Sequence, residues 1–413
     1  MSKNILRASI PLFTCLFLSG CMFIDLNKNV KQIDSAIHIS GKVEANHNNT
    51  SPIVVTLSRS ENGKYPLEAY TVIYGADSFV LSAPPGQYYL LAFEDSNQDF
   101  TLQDNERVSW YGAPTLIEKS NTNIKLVLRN AVEAKNTLPT LYIPGQTRKT
   151  VNLERMNIGK VVKTDIFKQE NGPLGMWKPV DFHLQGNTGI YFLEKYDPNK
   201  IPVLFVHGIS GSGHDWLYFL NNMDRKRFQP WVVQYPSGIR LGSLSKSLSQ
   251  SINILKTTYG FDRLAVVAHS MGGLVSRGFI NDQLANHNTK MITTFITLST
   301  PWLGHNAASQ GTKFAPIAVP SWFDMVPDSP YLNSLHKQSL SEHIQYYLLF
   351  SHKGKGSIIS DSNTDGTVTL ASQLAIKAQE EAIKVIGYDE NHVSILNSPE
   401  TLKKVEAILN TTH

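Results

Sequence analysis

Cysteine is nearly absent from these 413 residues: only Cys15 and Cys21 occur. A thiolate metal centre is thereby excluded, because such sites need several clustered cysteines. Charge bias is also missing. Lys+Arg 38 against Asp+Glu 34 leaves a net charge of +4, and no basic run exceeds Arg225-Lys226-Arg227. The electrostatic footprint of a nucleic-acid binder is therefore not there. Beyond residue 24 no apolar run approaches the ~18 residues needed to cross a bilayer. Gly 27 and Pro 20 are near average usage, which excludes collagen-like and low-complexity chains. What remains is a globular balance, 41% hydrophobic and 17% charged, in a chain long enough for about two or three domains.

The first residues read as an address. Lys3 and Arg7 precede an apolar stretch from Ile10 to Leu18, followed by Leu18-Ser19-Gly20-Cys21. An apolar core ending in small residues is a secretory signal rather than a fold element. At all four positions the end of this segment resembles the lipobox of bacterial lipoproteins, Leu-Ser/Ala-Gly/Ala-Cys. The resemblance implies removal of residues 1–20 and diacylation of Cys21. An ordinary cleaved signal or a short membrane anchor is the alternative. Met22, where a retention signal would have Asp, resembles the pattern sent to the outer membrane. The exported chain would then hold no free thiol and no disulfide. Residues 21–36 are polar and read as a tether.

From 37 to 130 short apolar runs recur: 38–43, 53–57, 70–74, 78–81, 88–93 and 124–128, with turns such as Pro84-Pro85-Gly86 between them. That spacing predicts an antiparallel β-sandwich. The Pro-Pro-Gly-x-Tyr-Tyr-Leu-Leu-Ala-Phe stretch resembles the carboxypeptidase-regulatory-like sandwiches found ahead of exported enzymes. Within it, Asp95, Asn97, Asp99 and Glu106 have calcium-loop spacing, but Phe100 stands where such a loop needs Gly. A polar hairpin is the preferred reading. Residues 131–150 lose the pattern and read as a linker.

From 151 to 413 buried strands alternate with helical stretches, the texture of an α/β domain with a mostly parallel sheet. Expected strands are 203–206, 231–235, 264–268, 292–298, 346–350 and 383–386. Expected helices are 241–255, 274–284 and 399–409.

Ala268-His269-Ser270-Met271-Gly272 lies between an apolar strand and a helical stretch. A sharp strand–Ser–helix turn needs tiny residues on either side, here Ala268 and Gly272, and presents Ser270 as a nucleophile. About sixty residues earlier, His207-Gly208 follows another buried strand. Acyl transfer builds an oxyanion that preorganised N–H groups must meet. Met271 and Ile209 stand where those donors belong. A serine also needs a base oriented by a carboxylate, in the chain order Ser, acid, His. His392, just past the last strand, is the expected base. Asp365, in Asp-Gly-x-Val, is the expected acid, with Asp361 as runner-up. His207 and His269 fit loop-shaping better than proton transfer, and His305 and His352 lack the right order.

Together these residues resemble the α/β-hydrolase superfamily in its lipase/esterase branch. Ser299-Thr300-Pro301-Trp302-Leu303-Gly304 and Met325-Val326-Pro327-Asp328-Ser329-Pro330-Tyr331-Leu332 resemble segments of triacylglycerol lipases and GPI-inositol-deacylase-like hydrolases. The fold expected is thus an α/β hydrolase preceded by an all-β sandwich. The resemblance implies cleavage of carboxylic esters through an acyl-enzyme, without metal or organic cofactor. The aromatic segment 314–332 is expected either to cap an acyl pocket or to serve as ordinary core packing of a long loop; in the first case a lipid ester would be the substrate, with the membrane as partner through Cys21. An acyltransferase sharing the acyl-enzyme, and a non-catalytic envelope binding lipoprotein, are the competing functions.

Overall fold

The computed structural model describes residues 22–44, 51–59, 67–75, 78–100, 102–103, 105–111, 116–130, 157–285, 290–354 and 363–411, and the backbone of 10–21. The expected linker 131–150 and Asp361 lie outside the described residues.

Strand β2 (Pro52–Arg59) is apolar almost throughout, and the reason is burial on both faces. It lies inside a five-stranded antiparallel sheet, order β3 (Leu67–Tyr74), β2, β5 (Tyr88–Glu94), β6 (Arg107–Trp110), β8 (Arg129–Asn130). Side chains alternate across a strand. Ile53, Val55 and Leu57 therefore meet a second sheet, β4 (Ser78–Ala83), β1 (Ile37–Glu44), β7 (Asn121–Val127), through Ile39, Phe79 and Leu126. Val54, with Val72, Leu91 and Phe93, faces the other way into the core of the second domain. The two sheets form the expected all-β sandwich, with one departure: β1 pairs with β7 in parallel. The short strands β6 and β8 carry too few residues to show a period.

The second domain is the α/β-hydrolase fold. Its eight-stranded sheet runs β16 (Lys384–Tyr388), β15 (Gln345–Ser351), β14 (Ile292–Leu298), β13 (Leu264–His269), β11 (Ile201–Val206), β12 (Phe228–Gln234), β10 (Gly189–Phe192), β9 (Ile158–Val161). All neighbours from β12 to β16 are parallel. β10 turns antiparallel to β12, and β9 runs with β10. These two four-residue strands were not foreseen from the sequence. The chain steps from β11 outward to β12, then returns to β11's other side as β13. In an open parallel sheet the crevice opens at the carboxyl ends of such switch strands. His207-Gly208 and Ser270 stand at those ends.

Helices flank this sheet: α1 (Ile10–Asp34), α2 (Asn171–Trp177), α3 (Pro179–Leu184), α4 (Leu217–Asn222), α5 (Leu241–Tyr259), α6 (Met271–Ala285), α7 (Asn306–Phe314), α8 (Pro320–Met325), α9 (Pro330–Leu335), α10 (Leu370–Gln373), α11 (Ile376–Glu381) and α12 (Pro399–Thr411). In α5, Leu244, Leu248, Ile252 and Leu255 share one buried face, and the helix stops at Gly260 in the left-handed region, whose N–H reaches the Lys256 carbonyl at 2.8 Å. The same helix holds the sandwich. Thr257 meets the Tyr74 hydroxyl at 2.7 Å, and Asn253 and Gln250 donate to the Val72 and Val80 carbonyls at 3.0 and 2.6 Å.

Residues 21–36 correct the sequence reading. They are not a loose tether, because α1 runs through Asp34 and docks on α2 and α3. Leu26 and Asn29 are fully buried there. The Lys178 side chain gives α3 no N-cap, and Asn29 replaces it: its Oδ1 accepts the N–H groups of Val180 at 2.7 Å and Asp181 at 3.1 Å. Asp25 pairs with Lys178 at 2.7 Å. The polar residues that suggested a tether thus include those that bind the helix to its neighbour. Asn29→Ala strips the acceptor from two amides. The expected cost is about 1–2 kcal/mol, the range of a lost N-cap. It is read as a lower thermal midpoint and faster amide exchange at Val180 and Asp181, and unaltered exchange would contradict it.

Candidate active site

Ser270 occupies the single residue between β13 and α6 with φ +53°. A non-glycine residue held there is strained and persists only where its surroundings enforce it. The surroundings are close backbones. A Cβ on Gly272 would stand 2.4 Å from the His207 carbonyl oxygen, and one on Gly208 2.9 Å from the Ser270 Cβ. Ala268 is fully buried in β13, between β11 and β14.

Three side chains from distant segments meet at this turn. His392 Nε2 lies 2.9 Å from Ser270 Oγ, and His392 Nδ1 lies 2.7 Å from Asp365 Oδ2. Asp365 is fully buried, and every partner of its carboxylate is a donor. Ser351 Oγ at 2.8 Å and Gln373 Nε2 at 3.0 Å reach Oδ2, while the N–H groups of Val368 and Thr367 reach Oδ1 at 2.7 and 3.0 Å. The His392 N–H also donates to the Asp365 carbonyl at 3.0 Å. Burial alone would raise the Asp365 carboxyl. The His392 hydrogen bond and charge and the two amides outweigh it and hold the carboxyl below its usual range.

The other histidines are engaged elsewhere. Burial pushes His207 down to about 4 and, together with the nearby His392, His269 down to about 3. Both rings are neutral at neutral pH. His269 Nε2–H donates to the His392 carbonyl at 2.8 Å, and His207 Nδ1–H to the Gly208 carbonyl at 2.8 Å. The His207 ring stacks on Tyr235 at 4.0 Å, and the Tyr235 hydroxyl donates to the His207 carbonyl. These bonds fix the loop 207–211 under the serine. In it, Ser210 N–H is taken by Ser237 Oγ at 2.9 Å and Gly211 N–H by the Gly208 carbonyl at 3.2 Å.

A cavity of about 450 Å³ opens on Ser270 and His392, with Ile209, Met176, Trp322 and Met325 among its walls. Met271 heads α6 directly behind Ser270, its side chain buried and its N–H in the first helical turn. Of the segment 314–332, α8 contributes Trp322 and Met325 to the cavity, whereas Phe314 points to solvent. Arg240 and Asp324 fasten α8 to α5 with bonds of 2.6–3.0 Å, and the Leu241 N–H donates to Asp324.

Sequence reasoning missed Ser351 and Gln373. A serine ending a strand and a glutamine in a four-residue helix carry no pattern of their own. His305, set aside as a base for its place in the chain order, lines the cavity and bridges α7 to the turn at Asp365: Nδ1 accepts from Ala307 N–H and Nε2 donates to the Thr367 carbonyl at 2.7 Å. The spacing of Asp95, Asn97, Asp99 and Glu106 resolves into a self-capped loop. Asp95 accepts the N–H groups of Asp99 and Phe100 at 3.0 Å, Asn97 that of Asp99 at 3.2 Å, and Glu106 those of Ser96 and Gln103 at 2.8 and 2.9 Å. Phe100 itself takes φ +58°, the turn for which glycine was expected. Among the described residues no group of three or more His, Cys, Asp or Glu side chains is arranged to hold a metal.

The family comparison falls on the same domain. Residues 240–410 match a family described as "Alpha/beta hydrolase of unknown function (DUF915)". Among curated proteins, none matches the chain. Solved structures with a similar fold include the mature lipase BlEst2 of Bacillus licheniformis, 18% identical over 52% of this chain and 94% of that one, TM-score 0.42. Lipase B of Aspergillus fumigatus is 15% identical over 56% and 58%, TM-score 0.43. Phospholipase PlaB of Legionella pneumophila is 15% identical over 42% and 45%, TM-score 0.36.

Asp365 carries a pH signature. Its folded carboxyl titrates below the unfolded value near ~3.9, so its stabilisation is present above that value and lost as pH falls through the folded one. Asp365→Asn is expected to unfold at lower urea than the parent near neutral pH, with the gap closing below about pH 4. A gap that persists undiminished into acid would contradict this account of the carboxyl.

Proposed function

We propose that this chain is a serine hydrolase of carboxylic esters, anchored to the bacterial outer membrane through lipidated Cys21. The observation that carries the reading is the Ser270–His392–Asp365 chain of hydrogen bonds opening onto the cavity. Ser270 Oγ attacks the ester carbonyl while His392 Nε2 takes its proton. The ionised Asp365 orients the ring and balances the imidazolium. The N–H groups of Ile209 and Met271 receive the oxyanion. His392 then gives the proton to the departing alcohol, leaving an acyl-Ser270. Water, deprotonated by the same nitrogen, attacks the acyl carbon and releases the acid. All bonds broken and formed close with water as co-substrate, so no cofactor is required.

An acyl ester fits the walls: Ile209, Met176, Trp322 and Met325 offer apolar surface beside the serine. The Leu18-Ser19-Gly20-Cys21 sequence supports the anchor. Among the described residues no helix is long and apolar enough to cross a membrane.

The test is hydrolysis of p-nitrophenyl esters of increasing acyl length by protein starting after Cys21. Ser270→Ala and His392→Ala are each expected to lose about 10⁴-fold or more in kcat, and Asp365→Asn about 10³–10⁴-fold. Activity that survives Ser270→Ala would overturn the reading. Transfer of the acyl group to an added alcohol in preference to water would reassign the chain as an acyltransferase.

A further inference from the structure

Helix α1 ties the proposed anchor to the rim of the cavity. Phe23, two residues after Cys21, packs edge-on against Trp177 of α2 with centroids 5.7 Å apart. Trp177 packs edge-on against Trp322 at 5.9 Å, and Trp322 is a wall of the cavity. Two ring contacts thus separate the start of the docked helix from the site. Asn29 and Asp25 lock the rest of α1 to α3 and Lys178. The anchor therefore has little freedom to wander from the mouth: along a helix two residues advance only about 3 Å.

The elements around the cavity, and α1 itself, expose large apolar side chains. Ile24, beside Phe23, is 70% exposed. Val393, next to His392 and itself lining the cavity, is 62% exposed, and Phe314 at the end of α7 is 76% exposed. Phe323 follows Trp322, and Leu303 lies between the cavity residues Pro301 and His305. Exposed Lys313 precedes Phe314, and Arg240, ion-paired with Asp324, sits over the Phe323 ring at 5.9 Å. Exposed apolar side chains beside a lysine and next to the Cys21 end of α1 suit a bilayer surface.

We propose that α1 is an orienting strap that presses the cavity mouth onto the membrane carrying the Cys21 lipid. The substrate class follows: acyl esters of lipids resident in that same bilayer, entering from the membrane plane. This rests on the ester-hydrolase and lipoprotein readings and adds the direction in which the site faces.

The test uses full-length lipidated protein in vesicles of phosphatidylethanolamine and phosphatidylglycerol. With Cys15 removed and Cys21 acylated, an introduced cysteine is the only free thiol. A fluorophore at Phe314→Cys should be quenched by spin-labelled lipid. One at Asp262→Cys should not be, since Asp262 lies before the start of β13, whose six residues put that end of the strand about 20 Å from Ser270. Undocking α1 with Phe23→Ala plus Asn29→Ala, or replacing residues 22–34 by a Gly-Ser segment of equal length, should bring position 314 down to the Asp262 level. The undocked proteins should also lose about tenfold on phosphatidylglycerol in the vesicle while retaining p-nitrophenyl butyrate hydrolysis. No quenching at 314 in the docked protein, quenching unchanged by undocking, equal loss on both esters, or an unacylated Cys21 would each overturn the proposal. A parent protein that cuts neither ester refutes the hydrolase reading alone, because the quenching pair still reports which face meets the bilayer.

Discussion

The site depends on one close approach of backbones. The turn at Ser270 brings Gly272 against the His207 carbonyl and Gly208 against the serine, with no space for a side chain at either glycine. That approach holds Ser270 at positive φ and aims its hydroxyl into the crevice between β11 and β13. The crevice exists because the chain reverses its direction of travel across the sheet between those two strands. Topology provides the opening, and the absence of two Cβ atoms lets Ser270 stand in it.

Polar bookkeeping does the rest. Buried histidines 207 and 269 stay neutral and donate their N–H groups to backbone carbonyls, one in the loop 207–211 and one at His392. The buried Asp365 carboxylate is surrounded by donors from four further residues besides His392. An unpaired carboxylate at that depth would be protonated or would unfold its turn. Satisfied in this way, it remains ionised and leaves His392 in one orientation. In the proposed reaction Ser351 and Gln373 would act through Asp365, whose carboxylate they hold.

Much of this was legible in the sequence. Continuous apolar strands marked the parallel sheet, and tiny residues around a serine between strand and helix marked the turn. The histidine after the last strand and the Asp-Gly turn fell in the chain order that the fold dictates. What could not be read depends on partners distant in sequence. Helix α1 looks polar because Asp25, Lys28 and Asn29 are polar, yet Asn29 is buried by a helix some 150 residues later. β9 and β10 are four residues each, too short to express a period. β2 and β5 read as apolar throughout because both faces are covered, and the cover on one of them is the other domain. Phe100 adopts the left-handed turn expected of glycine because Asp95 accepts its amide.

The sandwich, helix α1 and the α/β domain are continuous through shared contacts, so α1, the wall of the cavity and Ser270 form one mechanical chain. Its central claim is that Ser270 is a nucleophile activated by His392. The most direct measurement is covalent labelling by a fluorophosphonate, with the modified residue found by peptide mass spectrometry. The account predicts stoichiometric phosphonylation at Ser270, abolished in His392→Ala while the protein remains folded. No labelling of the folded parent, or equal labelling after loss of His392, would contradict it.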